Sequence, residues 1–485
     1  MGSGLDKRTM ERGNTVCSRG CEPPFEIISP GEISETVERH SLWTIKSAIE
    51  QGTEMKTGLD IRSTALHANA GCSCITLDQE MLIKMLDANV GTEGFGTGLL
   101  ASHPYLFANS PVFLAYETLA AMKAVFQAIE SAIALPSFRA AALQWAPPIA
   151  SADFGPAGAL MGYDFHLTES GPLLIEINTN AGGAFLNAIL AKAQRACCFG
   201  EDLTIELARP KQDFDLEIVA MFEREWKRQG RSGRPAVVAI VDDEPEEQHL
   251  YPELLLAKAA LEKQGIAAII ADPKMLVGSD DGLSISGFHI DLVYNRLVDF
   301  TLDDPGHGAL RDEYLRGKVV VTPNPHVHAM FADKRNLALL SDASLLAEAG
   351  LAADEVEILK SAVPKTVHVT GDNADALWAD RRNLFFKPAR GYGSKATYRG
   401  AKLTHKVWTQ IIAADYIAQT YAPPSLRRVE RDGKMLELKV DIRLYTYYGA
   451  VLLTAARLYQ GQTTNMRTPS GGSPRPVPFA AGTAL

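Results

Sequence analysis

A strand–helix–strand pattern between residues 236 and 272 constrains the fold of this chain more than any other feature. The apolar run AVVAIV is typical of a buried strand, PELLLAKAALEKQG of an amphipathic helix that ends at Gly265, and IAAIIAD of the next strand. Apolar runs at 290–298 and 318–324 add two more strands. The pattern predicts a small open α/β domain. It lacks the G-x-G-x-x-G turn of dinucleotide-binding folds, which disfavours a dehydrogenase.

The composition is that of an ordinary globular protein. The chain has 485 residues, 46% hydrophobic and 22% charged, which predicts several structural units. A formal net charge of −10 argues against nucleic acid or an anionic membrane as the main partner. The charged N-terminus has no signal-peptide core, and the best candidate for a membrane span, 111–135, carries Glu117, Lys123 and Glu130. We expect a cytoplasmic protein, and a homodimer is compatible with the sequence.

Six cysteines are too few for a disulfide framework in a chain of this length. Reduced thiols are the expected state, and a thiolate zinc site built by the first four is the alternative. The six are Cys17, Cys21, Cys72, Cys74, Cys197 and Cys198.

Residues 36–145 have a mostly helical pattern. In SPVFLAYETLAAMKAVFQAIESAIALPSF, Ser110 and Pro111 predict a helix start and Pro136 predicts its end, because apolar residues recur every three or four positions between them. The glycine-rich GTEGFGTG at 91–98 has no convincing strand before it, so it predicts a flexible surface loop and not a nucleotide-binding loop.

A β-hairpin is predicted between Ala159 and Ile177, where ALMGYDFHL and LLIEIN are buried strands joined by the turn TESGP. Because strand side chains alternate, Glu176 and Asn178 share a face, and Asp164 on the first strand can lie close to them. Two carboxylates and an amide are hard oxygen ligands that suit Mg²⁺ with bridging phosphates. The alternative is an edge strand with a solvated polar face.

The stretch NLFFKPARGYGSKATYRG predicts a strand that carries Lys387, followed by Gly391 and Gly393. Glycines let backbone N–H groups approach phosphate oxygens, and a lysine supplies a point charge to them. The lysine precedes the glycines, so this is not a P-loop. A surface hairpin is the alternative to a phosphate-binding loop, with equal weight.

The C-terminal strands LELKVDIRLYTYY and AVLLTAARLY carry arginines among apolar residues. Asp441 and Arg443 share a face, and Arg457 lies on the neighbouring strand. A buried unpaired charge is costly, so these arginines need an anionic partner, and an ion pair of Arg443 with Asp441 is one reading. No acid follows Asp441, however, whereas four arginines do, including Arg467 and Arg475. Such a strip suits phosphate and carboxylate ligands.

Together these stretches resemble the ATP-grasp superfamily. Its common order is a small α/β domain, a lysine strand with a glycine-rich loop, a hinge, an Asp-x-Arg strand, a second arginine strand, and an acidic hairpin of the form D-F…E-I-N-T-x-x-G. GYDFHLTESGPLLIEINTNAGG is similar to that hairpin but precedes the lysine loop. This rotated order resembles a circular permutation, as in the eukaryotic-type glutathione synthetases and the glutathionylspermidine synthetases. The resemblance covers about residues 155–485.

The resemblance implies ATP and Mg²⁺ as cofactors and assigns site residues in four groups. The metal ligands are Asp164, Glu176 and Asn178. The residues that contact ATP, including the hinge beside the adenine, are Lys334, Lys387, Gly391, Gly393, Ser394, Gln419 and Tyr421. The arginines on the γ-phosphate and the acyl phosphate are Arg443 and Arg457. The substrate-binding residues, partly from the closing loop TPSGGSPRP, are Arg296, Arg467, Gly471 and Gly472.

Three departures separate this chain from the permuted glutathione synthetases. The lysine loop KPARGYGSK lacks their extra acidic metal ligand. Gly162 or Tyr163 replaces their arginine just before the hairpin aspartate, and Ala181 and Gly183 replace their substrate-contacting serines. The resemblance therefore carries over the ATP machinery and not the glutathione-pathway substrate.

The resemblance implies an ATP-dependent carboxylate–amine ligase that forms an amide through an acyl phosphate from small-molecule substrates. An ATP-binding regulatory protein and an ATP-grasp phosphotransferase are the alternatives. Arg296 either holds a substrate carboxylate or forms a salt bridge with Asp299, with equal weight.

The predicted fold is α/β (α+β), a permuted ATP-grasp fold with a small open α/β substrate domain and a helical N-terminal region. Its predicted parts are a helical region at 1–145, a permuted segment with the metal-binding hairpin at 146–205, the small α/β domain at 206–325, and the lysine loop, hinge and C-terminal strands at 326–485.

Overall fold

Helices and strands are mixed along the chain, as the predicted α/β (α+β) class requires. The structure, a computed structural model, describes residues 58–71, 76–194, 213–391, 393, 395–431, 433–464, 468–469, 471–474 and 476–479. In chain order the strands are β1 Val112–Ala115, β2 Met161–Thr168, β3 Gly171–Asn178, β4 Val237–Val241, β5 Ala267–Ala271, β6 Val277–Ser279, β7 Gly282–Ile285, β8 Phe288–His289, β9 Leu292–Asn295, β10 Val320–Thr322, β11 Thr366–His368, β12 Leu384–Pro388, β13 Tyr398–Arg399, β14 Tyr416–Thr420, β15 Ser425–Arg431, β16 Lys434–Tyr447, β17 Ala450–Tyr459 and β18 Pro476–Phe479. The α-helices are Gly58–Gly71, Gln79–Val90, Phe95–Ser102, Tyr116–Ala134, Pro136–Leu143, Ala184–Ala193, Phe214–Arg228, Tyr251–Lys263, Gly308–Leu315, Pro325–Phe331, Asn336–Leu340, Ala343–Glu348, Ala353–Ala362, Ala374–Asp380 and His405–Ile412.

The strand–helix–strand prediction is confirmed by a sheet of four parallel strands in the order β10-β9-β4-β5. The helix Tyr251–Lys263 connects β4 to β5 and buries Leu254 and Leu261. Because the carboxyl ends of parallel strands meet at one edge of a sheet, Asp242 after β4 and Arg296 after β9 lie at the same edge.

The predicted hairpin is confirmed and belongs to an antiparallel sheet, called here the hairpin sheet. Its order is β15-β16-β2-β3, and β17 pairs with the other side of the long strand β16. In this register Asp164 lies opposite both Glu176 and Arg443. Their neighbours Phe165 and Ile442 belong to the core on the other face, since strand side chains alternate.

The lysine strand lies in a further antiparallel sheet, called here the lysine sheet, with the order β11-β14-β12-β13. Phe386 of β12 and Ala418 of β14 are buried against Trp408 of the helix His405–Ile412. Lys387 therefore projects from the opposite face of β12.

The predicted start of the long apolar helix is wrong. Val112–Ala115 forms β1, which pairs in parallel with Pro476–Phe479, and the helix begins at Tyr116. A four-residue strand whose partner lies at the far end of the chain leaves no local periodicity. The predicted helix end is confirmed, because the helix stops at Ala134 and Pro136 opens the next one.

The surface loop predicted at 91–98 is also wrong in its second half, which begins the helix Phe95–Ser102. The Asp87 carboxylate accepts hydrogen bonds from the backbone N–H groups of Gly94 and Gly96, at 3.1 and 2.7 Å. It thereby satisfies donors that a helix N-terminus leaves open, which offsets the low helix propensity of glycine.

Among the described residues, no single helix has both the length and the apolar composition needed to cross a membrane. The pair Tyr116–Ala134 and Pro136–Leu143 meets both criteria only when taken together, and the two are bent by 78°.

Residues Ile61–Leu485 form one compact unit. The predicted domain boundaries inside it stay predictions. All six cysteines lie outside the described residues. Residues 1–57 of the predicted N-terminal region also lie outside them.

Candidate active site

A cavity of about 380 Å³ lies between the hairpin sheet and the lysine sheet. Its walls come from β2, β3, β16 and β17 on one side and from β12 and β14 on the other. The lysine strand and the acidic hairpin, which the sequence predicts to serve one site, therefore line the same cavity. The predicted site residues that line the cavity are Asp164, Glu176, Asn178, Lys387, Gly393, Gln419, Tyr421, Arg443 and Arg457.

The hairpin brings the three predicted metal ligands together. Asn178 Nδ2 donates to Asp164 Oδ2 and to Glu176 Oε1, both at 3.2 Å. The strand β3 is an edge strand, as the alternative reading expects, but its polar face lines the cavity. In the described part of the chain, no cluster of three or more His, Cys, Asp or Glu side chains could hold a metal ion. A metal site here therefore depends on the amide of Asn178.

Buried acids already pair with both predicted catalytic arginines. Arg443 donates to Asp164 through Nε at 2.5 Å and Nη2 at 2.7 Å, and Arg457 Nη2 lies 2.8 Å from Asp164 Oδ2. Arg457 Nε donates to Asp441 Oδ1 at 2.5 Å. Internal ion pairing is thus real, but the partner of Arg443 is Asp164 and not Asp441. Burial alone would raise the pKa of Asp164, yet the two guanidinium groups hold that pKa well below its ordinary value.

Gly162 shows why no arginine precedes the hairpin aspartate. A Cβ atom at this position would lie 2.7 Å from the Cβ of Ala181 and 3.1 Å from Nε of Arg443. The first distance is shorter than real Cβ atoms show and the second is tighter than most, so a side chain at 162 would displace its neighbours. The guanidinium group of Arg443, from another strand, lies beside this position.

Lys387 connects the two walls of the cavity. Its ammonium group donates to the carbonyl oxygen of Ile175 on β3 at 2.6 Å and to Gln419 Oε1 on β14 at 2.8 Å. Burial lowers the pKa of Lys387 to about 8, and the nearby Glu176 carboxylate opposes this shift. Only 7% of Lys387 is exposed, which excludes the alternative of a lysine on a surface hairpin.

The other residues predicted to contact ATP divide into two groups. Gln419 and Tyr421 line the cavity, and the buried Nε2 of Gln419 has no hydrogen-bond partner in the described structure. Lys334 and Gly391 do not line it, because Lys334 Nζ donates instead to the carbonyl oxygen of Gly391 at 2.8 Å. Ser394 lies outside the described residues.

Arg296 is buried behind Gly182, which lines the cavity. Its Nη1 donates to the Tyr294 hydroxyl at 3.3 Å, and its Nε has no partner. The alternative salt bridge with Asp299 is not formed, because Asp299 Oδ2 lies 2.8 Å from His307 Nδ1. The acids that interact electrostatically with this guanidinium group are Asp242 and Glu253.

The described residues of the predicted closing loop do not line the cavity. Gly471 and Gly472 are buried, and Gly472 exchanges backbone hydrogen bonds with Leu458 of β17 at 2.8 and 3.0 Å. The segment that reaches the cavity from this part of the chain is Gln462–Thr464. Arg467 lies outside the described residues.

Several cavity-lining residues were not predicted, among them His166, Lys439 and Tyr459. A signal for two of them was present. His166 follows Asp164 by two residues and Lys439 precedes Asp441 by two, so strand alternation places each on the face of the predicted residue. The imidazole Nδ1 of His166 lies 2.7 Å from the carbonyl oxygen of Ala422 in the hinge region.

No protein-family model and no curated protein matches the sequence. Among solved structures, the chain is similar to a glutathione synthetase-like effector from Globodera pallida in its apo form, at 11% identity and a TM-score of 0.49, over 82% of this chain and 97% of that one. It is also similar to a putative gamma-glutamylcysteine synthetase from Methylobacillus flagellatus KT, at 10% identity and a TM-score of 0.43, over 74% and 87%. The ATP-grasp ligase PsnB in complex with a minimal precursor is similar at 14% identity and a TM-score of 0.28, over 52% and 92%. Similarities at this level do not assign a reaction to the chain.

Proposed function

We propose that the protein is an ATP-dependent ligase that joins a carboxylate to an amine through an acyl phosphate. The observation that carries the proposal is the cavity in which Lys387, Glu176 and the pair Arg443 and Arg457 face one space. Phosphoryl transfer is catalysed largely by positioning and by electrostatic stabilisation of the transferring group. Cationic side chains on both walls would stabilise the transferring phosphoryl group, and the oxygen ligands beside them would bind a metal ion.

The lysine sheet would bind the nucleotide. Gln419 presents a buried amide donor without a partner, which an acceptor atom of the nucleotide would satisfy. Lys387 would place its ammonium group on phosphate oxygens. Tyr421 contributes aromatic surface to the same wall.

The hairpin sheet would hold Mg²⁺. Glu176 lines the cavity, and in the described part of the chain its carboxylate forms no ion pair with a lysine or arginine, so it is available to a cation. The Asn178 amide contacts the same carboxylate and presents its oxygen there once amide O and N are exchanged. These oxygen donors fit a hard cation that keeps several of its waters. When bound, Mg²⁺ would neutralise charge on the phosphate oxygens.

The proposed reaction has two steps. An oxygen of the substrate carboxylate attacks the γ-phosphorus of ATP, the bond from that phosphorus to the β,γ-bridging oxygen breaks, and ADP leaves. The amine nitrogen then attacks the carbonyl carbon of the acyl phosphate, loses a proton, and expels inorganic phosphate. Arg443 and Arg457 would stabilise the charge on the transferring phosphoryl group.

Arg296 would bind a carboxylate of the substrate. Its guanidinium group is buried, its Nε has no hydrogen-bond partner in the described structure, and it lies beside Gly182, a residue of the cavity wall. Because a buried donor without a partner is costly, the open Nε supports an anionic ligand at this edge of the parallel sheet.

A screen for ADP release tests the proposal. The protein is incubated with ATP, Mg²⁺ and pooled amino acids, small peptides and polyamines, and ADP is expected only when a carboxylate and an amine are both present. The product mass should equal the sum of the two substrates minus water. With an ¹⁸O-labelled carboxylate, one label should appear in inorganic phosphate. A phosphorylated product without an amide would instead favour a phosphotransferase, and nucleotide binding without turnover would favour a regulatory protein.

Two variants connect that activity to the cavity. Glu176→Gln and Lys387→Ala should each lower substrate-dependent ADP formation by about three orders of magnitude while the protein stays folded. Glu169→Gln, in the exposed turn of the same hairpin, is the matched control and should keep full activity. Undiminished turnover in either cavity variant would contradict the proposed site.

A further inference from the structure

Two buried carboxylates form ion pairs with the arginines of the cavity. Asp164 and Asp441 are 1% and 0% exposed, and each contacts Arg457. Resting on the proposed function, we propose that Asp164 and Asp441 are positioning residues that hold Arg443 and Arg457 for the phosphoryl group, and that Asp164 is not a metal ligand.

Two guanidinium groups already compensate the charge of the Asp164 carboxylate. A carboxylate has about four lone-pair sites. Arg443 Nε occupies one site of Oδ1 at 2.5 Å, and Arg443 Nη2 and Arg457 Nη2 occupy Oδ2 at 2.7 and 2.8 Å. A cation at the remaining site of Oδ1 would lie beside two guanidinium groups, and their like charge disfavours direct coordination of Mg²⁺ by Asp164.

Asp441 holds Arg457 from the other side. Its Oδ1 accepts from Arg457 Nε at 2.5 Å, and its Oδ2 accepts from the Thr464 hydroxyl. Arg457 is therefore fixed at Nε by Asp441 and at Nη2 by Asp164. Thr464 belongs to the segment Gln462–Thr464 that lines the cavity, so the Asp441 carboxylate also binds this segment.

These contacts pre-orient the arginines toward the ligand space. Among the hydrogen bonds of the described residues, each guanidinium group is held through Nε and Nη2, while both side chains line the cavity. Two arginines and two aspartates form a buried network without net charge. Such bidentate pairing fixes the plane of a guanidinium group, which is what in-line phosphoryl transfer needs from it.

Glu176 differs from Asp164 in its burial and in its hydrogen bonds. It is only half-buried, and its one hydrogen bond in the described structure comes from Asn178 Nδ2 at 3.2 Å. The polar residues of the hairpin therefore have two roles. Glu176 and Asn178 would bind the metal, and Asp164 binds the arginines.

Mn²⁺ binding in the presence of a non-hydrolysable ATP analogue tests this division, with electron paramagnetic resonance as the readout. Glu176→Gln should weaken Mn²⁺ binding at least tenfold, whereas Asp164→Asn and Asp441→Asn should change it less than threefold. In the ligase assay both aspartate variants should lower kcat about a hundredfold at unchanged metal requirement. Asp164→Asn that weakens Mn²⁺ binding as much as Glu176→Gln would overturn the inference.

A measurement on the unmodified protein avoids any loss of stability in the variants. In the complex with Mg²⁺ and the analogue, the Nε–H proton of Arg443, assigned with Arg443→Lys, should stay protected from solvent exchange. Faster exchange on metal binding would show that Asp164 had moved to the metal. A wild-type protein that binds neither nucleotide nor metal would overturn the proposed function itself, whereas loss of metal in Asp164→Asn alone would overturn only this inference.

Discussion

Lys387 lies with its ammonium group between the carbonyl oxygen of Ile175 and the side chain of Gln419. Burial lowers the pKa of this lysine to about 8, although Glu176 favours the charged form. The side chain is therefore mostly charged at pH 7 and mostly neutral at pH 9. At the residue scale, this makes one phosphate-binding charge of the proposed site dependent on pH.

The affinity for nucleotide should consequently fall as the pH rises through about 8. One pH unit above that value about a tenth of Lys387 is charged, so affinity at pH 9 should be roughly tenfold weaker than at pH 7. Isothermal titration calorimetry with a non-hydrolysable ATP analogue measures this. In Lys387→Met affinity should be low and independent of pH over the same range. An equal decline in both proteins would remove Lys387 from the nucleotide site.

Arg296 gives a second prediction at this scale, because a buried guanidinium group with an unsatisfied Nε serves binding at the expense of stability. Arg296→Met should raise the free energy of unfolding of the ligand-free protein by about 1 kcal/mol, and it should abolish substrate-dependent ADP release. Chemical denaturation and the ligase assay measure the two effects. Arg311→Met, at an exposed arginine of the same sheet domain that pairs with Asp303, is the control and should change stability by less than about 0.5 kcal/mol. Destabilisation by Arg296→Met would identify a structural arginine.

At the scale of elements, backbone hydrogen bonds attach Gly472 to Leu458 of β17. This pairing differs from the closing loop predicted for this glycine. This glycine has a φ of +106°, and a Cβ atom there would lie 2.5 Å from the carbonyl oxygen of Tyr105. The pairing of Gly472 with Leu458 therefore requires the absence of a side chain.

Gly472→Ala should lower the free energy of unfolding by about 2 kcal/mol or more, because backbone strain and a clash add. Gly461→Ala is the matched control, since Gly461 also has a positive φ of +96° but a Cβ atom there would meet nothing within 4 Å, and it should cost only about 1 kcal/mol. Urea denaturation compares the two. Equal stability of both variants, with an increased KM for substrate in Gly472→Ala, would restore the closing-loop role predicted for this glycine.

Elements with a strong local pattern were predictable from the sequence, and elements defined by distant partners were not. The hairpin and the parallel sheet appear where alternation and apolar runs predict them. The strand β1 was missed because its partner Pro476–Phe479 lies at the other end of the chain. The helix Phe95–Ser102 was missed because its start depends on the Asp87 carboxylate and not on helix propensity.

At the scale of the whole molecule, the candidate site is assembled from segments far apart in the sequence. The hairpin, the lysine strand and the C-terminal strands supply residue types that the sequence identified, and the structure brings them to one cavity. The pairing inside that cavity was not predictable, since only the register of β16 on β2 places Arg443 opposite Asp164. Whether this chain order is a circular permutation stays a prediction, as does the homodimer.

A crystal structure with Mn²⁺ and a non-hydrolysable ATP analogue would show directly whether this cavity is the nucleotide site. We expect a triphosphate between Lys387 and Glu176, the adenine beside Gln419, and anomalous density for the metal at Glu176 and Asn178. Arg443 should still contact Asp164 in that complex. Nucleotide bound elsewhere on the molecule, or no nucleotide at saturating concentration, would rule out the proposed site.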